Sequence, residues 1–144
     1  MASLELEFTV ECSTEHAFET WVSRTASWWP RDHTRSADPQ ATVGFEPRIG
    51  GRIYERTSTG VEYDWGEVLV WEPPHRLAYL WHIAGDISDA TEVTISFSPA
   101  GDATVVRIDH HGWEKLGARG AELRERNRRG WDGLIPHYRR ACLG

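Results

Sequence analysis

Several residue types and patterns are scarce in this chain, and each scarcity removes a class of protein. Cysteine occurs twice, as Cys12 and Cys142 near opposite ends, in no CxxC or Cys/His spacing. Neither a disulfide framework nor a structural zinc site is encoded, and the expectation is two reduced thiols in a cytoplasmic protein. No apolar run approaches the length of a membrane span, and the opening MASLELEFTV alternates charge with apolar residues, which is not the pattern of a signal peptide. No HxH, HxxxH or HExxH spacing exists among the seven histidines, and no GxSxG occurs. A metal centre and a nucleophile-elbow hydrolase are therefore not indicated, and no cofactor is expected. His110 and His111 are adjacent in an alternating segment, so their side chains point to opposite faces and cannot share a metal unaided. Lysine occurs once against fifteen arginines, the bias of a GC-rich bacterial coding sequence. Internal repeats, low-complexity tracts and interdomain linkers are absent, so residues 1–144 read as one domain.

What is abundant is tryptophan, eight in 144 residues, spread from Trp21 to Trp131 rather than gathered in one belt. The natural reading is a wide aromatic interior, which leaves room for a ligand. The net charge of −6 is unevenly placed: residues 115–144 carry +5, so the preceding residues carry −11. Glu122, Glu125 and Asp132 interrupt the basic run, and the acidic whole argues against nucleic acid as a partner.

Along the chain, Leu4, Leu6, Phe8 and Val10 alternate with polar residues and predict a strand. The period then changes: Ser13 or Thr14 caps a helix burying Ala17, Phe18, Trp21 and Val22, and a second helical turn stops at Pro30. Residues 31–40 read as a polar loop. Six short strands at hairpin spacing come next, separated by turn signals at Gly50-Gly51, Gly60, Pro73-Pro74 and Gly101-Asp102. The last element is a helix over Arg119–Leu143. At about 100° per residue its inner face holds Trp131, Leu134, Ile135, Tyr138 and Cys142, continuing back to Leu123, Arg124 and Asn127. A one-faced antiparallel meander needs a partner, and only this helix is long enough. The expected fold is α+β: a curved antiparallel sheet of six or seven strands wrapped around a long C-terminal helix, with two short helices after the first strand. Gly130 within that helix costs ~1 kcal/mol relative to alanine, and close approach of helix to sheet is the expected reason. Pro136, about 140° from Trp131 on the outer side, should kink the helix gently.

Phe45-Glu46-Pro47-Arg48-Ile49-Gly50-Gly51-Arg52, the Trp65-Gly66-Glu67-Val68 strand, Trp71-Glu72-Pro73-Pro74 leading through Arg76-Leu77 to Trp81, Ala90-Thr91-Glu92-Val93, His111-Gly112-Trp113 and Gly130-Trp131 together resemble the START-like (SRPBCC) helix-grip superfamily. Within it they are similar to the C-terminal domain of the heat-shock-protein-90 ATPase activator. The likeness covers nearly the whole chain and lies in turns and packing residues. It implies the helix-grip fold, whose bearers include lipid carriers, pollen-allergen-type binders, polyketide cyclases and ring-hydroxylating oxygenase domains; fold alone does not choose among them.

Three functions are in play. The first is binding of a small, largely apolar molecule with one polar end, in a cavity between sheet and helix. Its expected lining is Trp28, Trp65, Glu67, Trp81, His110, Arg124, Asn127, Trp131 and Tyr138, with Glu67 and Arg124 alternatively forming a structural ion pair. The second, implied by the resemblance, is a co-chaperone role; the activator couples this kind of domain to a separate N-terminal domain that 144 residues do not accommodate. The third is a cyclase- or hydrolase-like enzyme using Glu67, His110 or Arg124. A homodimer is compatible with all three.

Overall fold

The computed structural model describes residues 2–144. Seven strands form one antiparallel sheet in the order β1-β7-β6-β5-β4-β3-β2. These are β1 (Leu4–Val10), β2 (Thr42–Phe45), β3 (Arg52–Arg56), β4 (Glu62–Glu72), β5 (Arg76–Trp81), β6 (Thr91–Ala100) and β7 (Ala103–His111). Helices α1 (Thr14–Ser23) and α2 (Thr25–Trp28) come after β1, and α3 (Gly120–Ala141) closes the chain. The first strand pairs with the last, Leu4 opposite His110 and Val10 opposite Thr104, so the meander curls back on its own beginning. This is the α+β sheet-around-helix architecture that the periodicity predicts, and the helix-grip fold that the resemblance implies.

Local chemistry accounts for the boundaries. Ser13 accepts from the backbone N–H of His16 at the N-terminus of α1, and Glu15 sits in its first turn, where negative charge suits the helix dipole. Gly50 and Gly101 take positive φ at the β2–β3 and β6–β7 turns, a conformation that costs glycine nothing. No helix among the described residues is long and apolar enough to cross a membrane.

The sheet's alternation breaks twice within β4. Ile53 faces Gly66 while the next residue, Tyr54, faces Asp64, which leaves Trp65 as an extra residue. Val68 faces Tyr79 while Val70 faces Ala78, which leaves Leu69 unpaired in the same way. The first bulge shifts the strand's phase by one, so Trp65 and Val68 are buried and Glu67 is turned out. The second restores the phase and brings Trp71 inward, edge-on to Phe18 with ring centroids 5.2 Å apart. Strict alternation would put Glu67 on the side of Trp65 and Trp71; the bulge overturns that expectation. Glu67 instead borders a polar hollow on the outer face, near Arg35, Arg52 and His82.

The core lies between the sheet and the helices and is solid beneath the second half of α3. Trp21, Trp28 and Tyr138 meet in tilted and edge-on contacts, with centroid separations of 4.7 to 5.3 Å. The Tyr138 hydroxyl donates to the Ala17 carbonyl at 2.6 Å, joining α3 to α1. Cys142 is buried beside this cluster, and desolvation pushes its thiol up to about 12; burial also raises Cys12. Both thiols are unbridged. A thiol reagent at pH 8 is expected to leave Cys142 of the native protein unmodified while labelling it promptly in denaturant, as peptide mass spectrometry would show.

Candidate functional site

Beneath the first half of α3 the packing opens into a cavity of ≈ 210 Å³. Three elements wall it. The chain just after α2 gives Trp29, Asp32 and His33; the end of β5 and the turn beyond it give Trp81, Ile83 and Ala84; α3 gives Leu123, Arg126, Asn127, Gly130, Trp131 and Leu134. The walls are largely apolar, and the four polar side chains come from two sides: Asp32 and His33 from the loop, Arg126 and Asn127 from the helix.

Trp131 is held from behind. Its indole N–H donates to Nδ1 of His110 at 3.1 Å, and His110 Nε2 lies 2.7 Å from the Thr91 hydroxyl. Because Nδ1 accepts, Nε2 carries the proton and donates to Thr91, whose hydroxyl is left to donate to the Trp81 carbonyl at 3.4 Å. His110 is fully buried and neutral: desolvation and the neighbouring His111 hold its pKa down to about 3. The chain of bonds ties Trp131 to the strand end that carries Trp81.

The opposite wall rests on Glu55. This β3 carboxylate is completely buried with no ion-pair partner among the described residues, and four donors surround it. They are the backbone N–H of Arg35 at 2.5 Å, the backbone N–H and hydroxyl of Ser36 at 3.2 and 2.6 Å, and the Trp65 indole at 2.9 Å. Desolvation pushes its pKa upward, but the hydrogen bonds outweigh it and hold the group below the usual carboxylate range. Glu55 thus anchors the loop on one side and Trp65 on the other. Trp65 in turn meets Trp29 and Trp81 at 5.1 and 5.8 Å. Sequence reasoning passes over this residue, although it shares a strand face with the buried Ile53, a placement unusual for glutamate.

Of the nine residues expected to line the cavity, Trp81, Asn127 and Trp131 border it. His110 sits one layer behind Trp131. Trp28, Trp65 and Tyr138 belong to the solid core, because the helices α1 and α2 fill the space over that end of the sheet. Glu67 faces outward. Arg124 and Glu67 form no ion pair; the Arg124 guanidinium donates to the carbonyls of Ala2 and Ser3 at 3.0 and 2.9 Å, tying α3 to the approach of β1. Arg126, which is not on the inner face of the helical wheel, borders the cavity because its long stem reaches around the helix. His111 lies on the outer face between Asp109 and Glu92, each at 3.1 Å. No three His, Cys, Asp or Glu side chains converge to hold a metal among the described residues.

Close approach to the sheet does not explain Gly130. A Cβ there would meet nothing within 4 Å, since the residue faces the cavity. It is Gly133 that is crowded: a Cβ would lie 3.1 Å from His33 Nε2. Gly130→Ala is accordingly expected to raise stability by ~0.5–1 kcal/mol, read from a denaturant midpoint, because the helix gains without a clash.

Residues 11–135 match the model of the family described as Activator of Hsp90 ATPase homolog 1-like protein. The chain belongs to this family. Among solved structures, the family member is similar to the anthrahydroquino-gamma-pyrone synthase Txn09, at 34% identity over 85% of this chain and 84% of that one, with a TM-score of 0.61. It is also similar to the self-sacrificing resistance protein CalC from Micromonospora echinospora, at 26% identity over 98% and 91% of the two chains, TM-score 0.69. The Aha1 dimer from Colwellia psychrerythraea shares the fold at 16% identity, over 99% and 96% of the chains, TM-score 0.68. A comparison with curated protein sequences returns no match.

Proposed function

We propose that this family member binds a small, flat, largely apolar molecule with one polar end, held between Trp29, Trp81 and Trp131. The observation that carries the reading is the cavity itself: three indole rings and aliphatic side chains line a half-open cavity of ≈ 210 Å³, with polar groups confined to Asp32, His33, Arg126 and Asn127. That volume suits a ligand of two fused rings rather than a long lipid. The likeness to Txn09, named as an anthrahydroquino-gamma-pyrone synthase, supports a flat, fused-ring ligand. Two unbridged thiols fit a reducing, cytoplasmic setting.

Titration with 1-anilinonaphthalene-8-sulfonate, an aromatic probe with an anionic end, tests the proposal through tryptophan emission and displacement by 2-naphthol. Saturable quenching with competition between the two is expected. Absence of any response to either compound would remove the reading. Stimulation of a chaperone ATPase by the chain, unaffected by substitutions that fill the cavity, would replace it with the co-chaperone role that the family name suggests.

A further inference from the structure

The polar groups of the cavity divide into an acceptor side and a donor side. On the loop, His33 Nδ1 is 2.9 Å from Asp32 Oδ1, and the Asp32 carboxyl is held below its usual range by that bond. Since the carboxylate accepts, Nδ1 carries the proton of neutral His33, and Nε2 is the free, basic nitrogen. Nε2 makes no hydrogen bond among the described residues and lies over α3 at Gly133, where an added Cβ would come 3.1 Å from it. The tryptophan Trp29 fixes the loop, its indole N–H donating to the His33 carbonyl at 2.8 Å.

On the helix, the Arg126 guanidinium forms no ion pair among the described residues, and Asn127 spends one amide N–H on the Leu123 carbonyl, leaving the other available. Among the described residues no serine, threonine, cysteine, lysine or tyrosine borders the cavity, so acyl or other group transfer through such a nucleophile has no residue to carry it. The arrangement gathers a base and hydrogen-bond donors around one apolar, half-open cavity, with the exposed Asp32 carboxylate behind the base, and this suits the movement of a proton next to a carbonyl.

We infer that His33, oriented by Asp32, is a general base that enolises an aromatic ketone bound in the cavity, with Arg126 and Asn127 receiving the developing enolate oxygen. The inference rests on the binding reading above and adds chemistry to it. In the step, His33 Nε2 takes the proton from the carbon adjacent to the carbonyl. The pair of electrons left by the C–H bond forms the C=C of the enolate, while the carbonyl π pair moves onto oxygen. The imidazolium, stabilised by the Asp32 carboxylate, returns a proton to the same carbon or to another position of the enolate and becomes neutral again. The net result is isomerisation, or isotope exchange in D2O, and no oxidant, reductant or co-reactant is consumed. Asp32 does not touch the ligand in this scheme; it is a positioning residue.

The probe is 2-tetralone, a two-ring ketone with acidic C–H bonds. Its binding is followed by tryptophan quenching, and deuterium incorporation at its benzylic α-carbon by NMR. The native chain is expected to accelerate exchange by ~10²-fold or more over free imidazole at equal concentration. His33→Gln is expected to keep the thermal transition and the quenching while exchange falls to the imidazole background. Asp32→Asn is expected to slow exchange while leaving the quenching unchanged, and Asp32→Glu to restore it; His137 and Arg126 on α3 are charged or titratable neighbours that both substitutions leave in place. Binding without accelerated exchange, or acceleration that survives His33→Gln, overturns the assignment and leaves the binding reading intact. Failure of 2-tetralone to bind overturns the assignment, and the binding reading falls with it only when 1-anilinonaphthalene-8-sulfonate also fails to bind.

Discussion

Glu55→Ala is expected to lower the unfolding free energy by ~3–5 kcal/mol, measured by urea denaturation at pH 7. Four donors converge on this one carboxylate, and three of them are fixed in place: two backbone N–H groups of the loop and the Trp65 indole. Deleting the acceptor leaves them buried without partners, each costing ~1–3 kcal/mol, partly offset by whatever water enters. Glutamine does not rescue the site, because its amide NH2 must face at least one of the same donors. The loop that Glu55 secures also carries Asp32 and His33, so a loosened wall and weaker ligand binding should accompany the loss of stability. The depressed pKa fixes the sign of the pH dependence. The stabilisation is complete above the carboxylate's unfolded value, about 4.3, and is lost as pH falls through its lower folded value.

The second large effect belongs to His110 and appears at higher pH. Its folded value of about 3 lies below the unfolded 6.5, so the native state resists protonation that the unfolded chain accepts. Stability from this residue is full above pH 6.5 and declines steadily below it, by ~1.4 kcal/mol per pH unit. The cost is thus ~2 kcal/mol at pH 5 and ~4 kcal/mol near pH 3. Denaturation curves at intervals from pH 8 to pH 4 check the slope. His110→Gln, which can still accept from Trp131 and donate to Thr91, should flatten the dependence between pH 6.5 and 5. A profile that is level in that window for the native chain would mean that His110 is charged or solvated. Its network could not then hold Trp131 as described.

How far the sequence reveals all this differs between fold and site. Element order and the helix-grip architecture are legible because their signals are local: alternation in β1, β6 and β7, the Ser13 cap, and turns at Gly50, Gly60, Pro73-Pro74 and Gly101. The inner stripe of α3 is legible for the same reason, as the buried Trp131, Leu134, Tyr138 and Cys142 show. The site is less so, because it depends on where the filling stops. Trp28, Trp65 and Tyr138 are as aromatic as Trp29 and Trp81, and no pattern within the chain separates those that plug the core from those that edge a void. That division is set by how α1 and α2 pack across the sheet. Glu67 is turned outward by a bulge whose one local sign is Gly66, where a Cβ would fall 1.9 Å from the Leu80 carbonyl oxygen. Asp32 and His33 lie in a polar loop, where residue type says little about which side chains a distant glutamate will draw against the cavity.

An open, ligand-accessible cavity beneath the first half of α3 is the claim on which the binding and the chemistry both depend, and Gly130→Leu measures it most directly. The new side chain enters the cavity from the helix without meeting the surrounding atoms at Cβ, so two readings should move in opposite directions. The thermal midpoint is expected to rise, since helix propensity and apolar contact both improve, while affinity for 1-anilinonaphthalene-8-sulfonate falls by at least ~10-fold. A variant that is more stable and still binds the probe with native affinity would contradict the claim, because the ligand would then sit somewhere other than between Trp29, Trp81 and Trp131.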